Sequence, residues 1–127
     1  MGRTTAEIPA FKGRVLLVDD IREDIDSVGH LLHDLGYQVT PVEEPDTVIE
    51  LAQEYPPRLI VLSADVRHGF NLCHVLKKDP VLRRIPLVLL TAKTSAETIR
   101  KHRMLPTRAD SYVAKPVEPD RFREAIR

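Results

Sequence analysis

"RVLLVDD", Arg14–Asp20, is the stretch on which the fold turns: four consecutive aliphatic residues with no polar alternation, running into two adjacent carboxylates. An unbroken aliphatic run of this length is how a strand buried on both faces reads, since neither side of the pleat is offered to water. "RLIVL" (Arg58–Leu62) and "LVLL" (Leu87–Leu90) repeat the pattern, each directly after a proline, and "SYVAK" (Ser111–Lys115) is a shorter case. "YQVTPV" (Tyr37–Val42) completes the set. Its Pro41 lacks the amide that a ladder needs, which assigns this strand to a sheet edge.

Amphipathic helices lie between these runs. Ile25, Val28, Leu31, Leu32 and Leu35 fall at helical spacing, with Gly36 placed to stop the helix. Val48, Ile49 and Ala52 mark a second helix, closed by Pro56 and Pro57, and Phe70, Leu72, Cys73 and Leu76 a third that ends near Asp79-Pro80. Thr94 with Glu97 reads as the capping box of a fourth. Pro119, Phe122 and Ile126 open a fifth, which stops at Arg127 after about two turns and is expected to be truncated from a longer regulator. Strands alternating with helices imply a parallel sheet covered on both faces, with right-handed crossovers. With the second strand at the edge, the expected fold is α/β: a doubly wound, flavodoxin-like five-stranded parallel sheet of order 2-1-3-4-5 with five helices. Residues 1–12 are expected to form a flexible leader and residues 13–127 the domain.

The totals narrow the function classes. The chain has 127 residues, enough for one domain with a real core. Lys plus Arg equals Asp plus Glu at 19 each, so the charge balance favours neither nucleic acid nor an acidic membrane. No apolar run approaches the roughly 20 residues of a membrane span, and the amino terminus has no apolar signal core; a cytoplasmic protein is expected. The single Cys73 excludes an internal disulfide and a thiolate zinc cluster, and its apolar neighbours mark it as a small core residue. No glycine-rich phosphate loop follows Val18, which disfavours a nucleotide or flavin site.

In a doubly wound sheet, ligands meet the carboxyl ends of the central strands. There the sequence sets Asp19 and Asp20 after the first strand, Ser63 and Asp65 after the third, Thr91 after the fourth and Lys115 after the fifth. Adjacent carboxylates are hard oxygen ligands of the kind magnesium takes, and a lysine with a hydroxyl suits a phosphoryl group. Each feature alone also has an ordinary reading as turn or capping chemistry. Their conjunction at four strand ends points to a site.

From about Arg14 to Arg127 the chain resembles the receiver domain of two-component response regulators, the chemotaxis-regulator fold. "VLLVDD" resembles the opening motif with its acidic pair, "LLTAK" the switch hydroxyl at Thr91, and "ADSYVAKPV" the closing motif with its switch aromatic at Tyr112 and its lysine at Lys115. "GFNLCHVLKKDP" resembles the third helix of that family. The resemblance implies an aspartate at the end of the third strand that takes a phosphoryl group, assisted by magnesium and the lysine. In "PRLIVLS" that place is Ser63, and the following "ADVRHG" is about two residues short and lacks the proline expected there.

Two expectations follow. In the first, the chain is a pseudo-receiver, a phosphorylation-independent interaction module that is not an enzyme and needs no cofactor. Degenerate receivers of gliding-motility regulators of the Frz type are the variety most similar, on the residues from His102-Arg103-Met104-Leu105 onward. In the alternative, phosphate goes to the displaced Asp65, with Mg2+ on Asp19, Asp20 and Asp65. The side chain of Asp65 is expected on the same side as Ser63, ligating the metal or pairing with Lys115. Partners are expected on the face of the fourth helix, fifth strand and fifth helix, carrying Ile99, His102, Arg103, Tyr112 and Phe122. Arg100, Lys101, Arg103 and Arg108 make that face basic and suited to an acidic protein; nucleic acid is not expected. A histidine kinase or further domains of a longer regulator are the other partners implied. The five histidines show no metal-ligand pattern and read as surface or capping residues, with His68 alone near enough the site to meet an anion.

Overall fold

The computed structural model describes residues 12–126. Five parallel strands, β1 (Arg14–Val18), β2 (Gln38–Val42), β3 (Leu59–Ser63), β4 (Leu87–Thr91) and β5 (Ser111–Ala114), form one sheet in the order β2-β1-β3-β4-β5. Helices α1 (Arg22–Asp34), α2 (Val48–Glu54), α3 (Gly69–Lys78), α4 (Ala96–Arg103) and α5 (Pro119–Ile126) connect and cover them. This is the expected doubly wound architecture. The leader expected over residues 1–12 lies outside the described residues except for Lys12, whose amide donates to the Gly36 carbonyl at 2.8 Å and so belongs to the folded body.

The unalternated runs are explained by two cores. Leu16, Val18, Ile60, Leu62, Leu87 and Leu89 point to one face of the sheet, under α2 and α3. Val15, Leu17, Leu59, Val61, Val88 and Leu90 point to the other, under α1 and α5, where Phe122 is fully buried. Successive residues therefore enter different cores, and every position has to be apolar. Pro41 pairs with Leu17 on the edge strand, where its missing amide faces no partner strand. Gly36 closes α1 at φ 97, a left-handed value open to glycine at little steric cost, and Tyr37 returns a hydrogen bond to the Leu32 carbonyl.

Three local expectations are corrected. The N-cap of α4 is Ser95, whose hydroxyl accepts from the Thr98 amide at 3.2 Å; Thr94 with Glu97 is therefore not the capping pair. Ser95 is the extended residue with its oxygen in reach of the first free amides, and one residue of slip reassigns the cap. The second strand starts at Gln38, not Tyr37, and the fifth ends at Ala114, one residue before Lys115, whose amide still donates to the Thr91 carbonyl at 2.8 Å. The Lys115–Pro116 peptide is cis. Among the described residues, no helix is long and apolar enough to cross a membrane.

Candidate functional site

Strand register brings the singled-out residues together. Ser63 pairs with Leu90 at the end of β3, and Thr91 with Ala114 at the end of β4. Asp19 follows β1 directly, its amide donating to the Val42 carbonyl at 3.1 Å. Asp19 and Ser63 are fully buried and Thr91 nearly so, whereas Asp20 is exposed.

Lys115 is the hub. Its ammonium lies 2.8 Å from Asp19 Oδ2, 2.9 Å from Asp24 Oδ2 and 3.1 Å from Ser63 Oγ. Burial alone would pull this lysine down, but the hydrogen bonds and charges of Asp19 and Asp24 outweigh it and hold it above its ordinary value. The other oxygen of Asp19 accepts the amides of Asp20 and Ile21 at 2.8 and 3.2 Å. Both Asp19 oxygens are thus engaged within the protein. Asp24 was not anticipated. The available signal was its position in the first turn of α1, where a carboxylate complements the helix dipole and also faces the strand ends.

The expected pairing of Asp65 with Lys115 does not occur. Asp65 Oδ2 instead accepts the Ala92 amide at 3.1 Å, beyond the end of β4, while its own amide donates to Ser63 Oγ at 3.4 Å. The reason is that β3 ends at Ser63: the parity argument required two more strand residues, and the chain turns instead. Gly69 makes that short turn feasible. A Cβ there would stand 2.6 Å from the Ala64 carbonyl oxygen and 2.8 Å from that of Ser63, so α3 begins pressed against the backbone it has just left. Asp19, Asp20 and Asp65 do not converge; among the described residues no group of three histidine, cysteine or acidic side chains could hold a metal ion. The donor set as arranged does not fit the magnesium site expected from those three residues. His68, the last residue before α3, is exposed at φ 59 and lines a hollow with Pro45, Asp46 and Arg67.

Tyr112 on β5 is half-buried. Its hydroxyl accepts from the Ala109 amide at 3.1 Å and is hydrogen-bonded to His102 Nδ1, and the Arg103 guanidinium lies 4.8 Å from its ring centroid. His102 is no surface histidine: it is 7% exposed, its ring lies 5.0 Å from that of Phe70, and its buried Nε2 has no partner among the described residues. Burial, then the neighbouring His74, holds its pKa below the ordinary histidine value, so it sits there neutral. Burial raises the Tyr112 pKa. The burial of His102 was not foreseen because α4 is polar overall, and only the packing of Phe70 and Tyr112 around it encloses the ring. Of the remaining face residues, Ile99 is half-buried and Phe122 lies wholly in the core, so Phe122 presents nothing to a partner. Burial pushes the Cys73 thiol up to about 11, as suits a core residue.

Residues 15–127 match the response regulator receiver domain family. The phosphate regulon transcriptional regulatory protein PhoB of Escherichia coli is 32% identical over 108 residues, covering 84% of this chain and 46% of that protein. The gliding motility regulatory protein of Myxococcus xanthus is 33% identical over 118 residues, covering 91% of this chain and 15% of that protein. The chain thus spans less than half the length of either relative. Among solved structures, the signal receiver domain of a histidine kinase from Syntrophus aciditrophicus superposes with a TM-score of 0.78 at 26% identity, covering 90% of this chain and 86% of that one.

Proposed function

The chain belongs to the response regulator receiver domain family, and from that membership we propose that it is a pseudo-receiver: a two-component signalling module that engages its partner without being phosphorylated. The observation that carries the proposal is the company of Lys115. In a phospho-accepting receiver the lysine serves a carboxylate at the end of the third strand. Here that place holds the buried Ser63 hydroxyl, and the ammonium is neutralised by Asp19 and Asp24. A serine hydroxyl needs an adjacent general base to become a good nucleophile. Asp19, which shares the Lys115 ammonium with Ser63, accepts from that ammonium and from two amides. In this reading the cluster is a structural ion pair.

The output face belongs to the same proposal. Arg103 and Tyr112 stand on α4 and β5, next to Met104 at 81% exposure and Leu105 at 42%. An aromatic and a guanidinium beside exposed apolar side chains are the composition of an interface centre. We assign this face to an acidic protein partner, either a kinase or another part of a longer regulator. The match to a gliding motility regulatory protein supports an affinity with degenerate receivers of that kind.

The alternative, transfer to Asp65 with Mg2+, is favoured by one observation: the Asp65 amide touches Ser63 while its carboxylate accepts the Ala92 amide, just past the end of β4. Incubating the chain with magnesium and acetyl phosphate, then measuring its intact mass under conditions that preserve acyl phosphates, separates the two. No added phosphoryl group is expected while a phosphorylatable receiver is labelled in parallel. A gain abolished by Asp65→Asn but not by Ser63→Ala would overturn the pseudo-receiver reading.

A further inference from the structure

At the opposite end of the sheet, where β4 and β5 begin, an open hollow of about 840 Å³ lies between the end of α3, the turn before β4 and the loop before β5. Four exposed cations, Lys78, Arg83, Arg84 and Arg108, ring it. Among the described residues the side chains of Lys78, Arg83 and Arg84 make no hydrogen bond or ion pair, and Arg108 donates only to the Leu105 carbonyl. The acidic groups nearby are already engaged, although Asp110 is 53% exposed and belongs to the lining. Asp110 Oδ2 accepts from Lys77 at 2.6 Å and from the Leu87 amide at 2.7 Å, and Asp79 Oδ1 accepts the amides of Val81 and Leu82. Asp110 is matched by Lys77, which leaves the four outer cations without a carboxylate among the described residues.

The backbone that carries the ring is also fastened. The Lys77 side chain, 8% exposed, donates to the Arg83 and Ile85 carbonyls at 3.1 Å each as well as to Asp110, tying the arginine-bearing turn to α3. Thr107 is fastened to the same helix through His74 and through the Cys73 thiol, which fixes the loop that carries Arg108. With the backbone already fixed, binding has only the exposed side chains left to order.

We propose that this hollow docks an acidic polypeptide segment of a partner protein, a run of aspartate and glutamate side chains laid across the four cations. Guanidinium groups pair carboxylates in a bidentate fork. Two features set the occupant apart from a nucleic acid or a free phosphate. No aromatic ring lines the hollow for a base to stack on. The amides of Arg83, Arg84, Arg108 and Asp110 are all bonded internally, so no backbone nest is open to a phosphate. The site stands apart from the Lys115 cluster, and its use does not depend on whether that cluster accepts a phosphoryl group.

The test is fluorescence anisotropy of a labelled polyglutamate peptide titrated with the whole chain at low salt, with melting temperature recorded for each variant. Arg83→Glu combined with Arg84→Glu is expected to weaken binding about tenfold or more, since each reversal replaces an attraction by a repulsion. Arg83→Gln with Arg84→Gln should give an intermediate loss. Arg67→Glu with Lys93→Glu, the same change of net charge at the other end of the sheet, should cost less than about twofold. Equal losses in the two reversals, or no binding by the unaltered chain, would overturn the site. Duplex DNA that displaces the peptide and is lost with the same arginines would overturn the acidic-polypeptide assignment.

Discussion

Replacing Lys115 by methionine tests the reading of the strand-end cluster as a structural ion pair. Methionine keeps most of the stem and removes the ammonium. Asp19 Oδ2, on a side chain 1% exposed, then loses its cation, and the Ser63 hydroxyl loses a donor. Asp24, 29% exposed, can return to water and should contribute little. Stranding a buried charge costs about 3–5 kcal/mol. Asp19 keeps the amides of Asp20 and Ile21 on its other oxygen, which reduces the expected loss to about 2–4 kcal/mol. For a chain of 127 residues each kcal/mol moves the melting temperature by about 4 °C, so a fall of about 8–16 °C is expected. Urea unfolding should show the loss at unchanged m, and adding Asp19→Asn to Lys115→Met should recover at least about 1 kcal/mol. The folded lysine titrates above its ordinary value of 10.5, so its contribution is complete below that pH and fades as pH rises through the folded pKa. The gap between wild type and variant should therefore close in strong alkali. A loss under about 1 kcal/mol, or no recovery in the double variant, would refute the ion-pair account.

Further outcomes follow from the same geometry. Gly69→Ala drives a Cβ to 2.6 Å from the Ala64 carbonyl oxygen and should cost about 1–3 kcal/mol, lowering the melting temperature by about 4–12 °C; an unchanged or higher value would show that the β3–α3 turn can yield. His102 has a folded pKa below 6.5, so as pH falls from there the unfolded chain takes up the proton first and stability drops. His102→Phe retains a ring against Phe70 and should flatten the decline in melting temperature between about pH 7.5 and pH 5. An equally steep decline in that variant would refute His102 as the group responsible.

The architecture was legible in the sequence for a physical reason. A strand covered on both faces has to be apolar at every position, as in Val15–Val18 and Leu59–Leu62, and Pro41 can sit only at an edge. The strand order and the gathering of Asp19, Ser63, Thr91 and Lys115 at one end of the sheet follow from those facts and the topology rules. Tertiary structure decided which charges meet. Asp65 lies two residues from Ser63 yet turns to the Ala92 amide, because where a strand stops is set by the neighbouring turn and not by side-chain parity. Asp24 reaches Lys115 from a helix 91 positions away in the chain, and His102 is buried by Phe70 and Tyr112, which no local pattern links to it. Periodicity records which face of an element is dry; the partner of a buried charge depends on angstrom-scale approach between separate elements, which only packing determines.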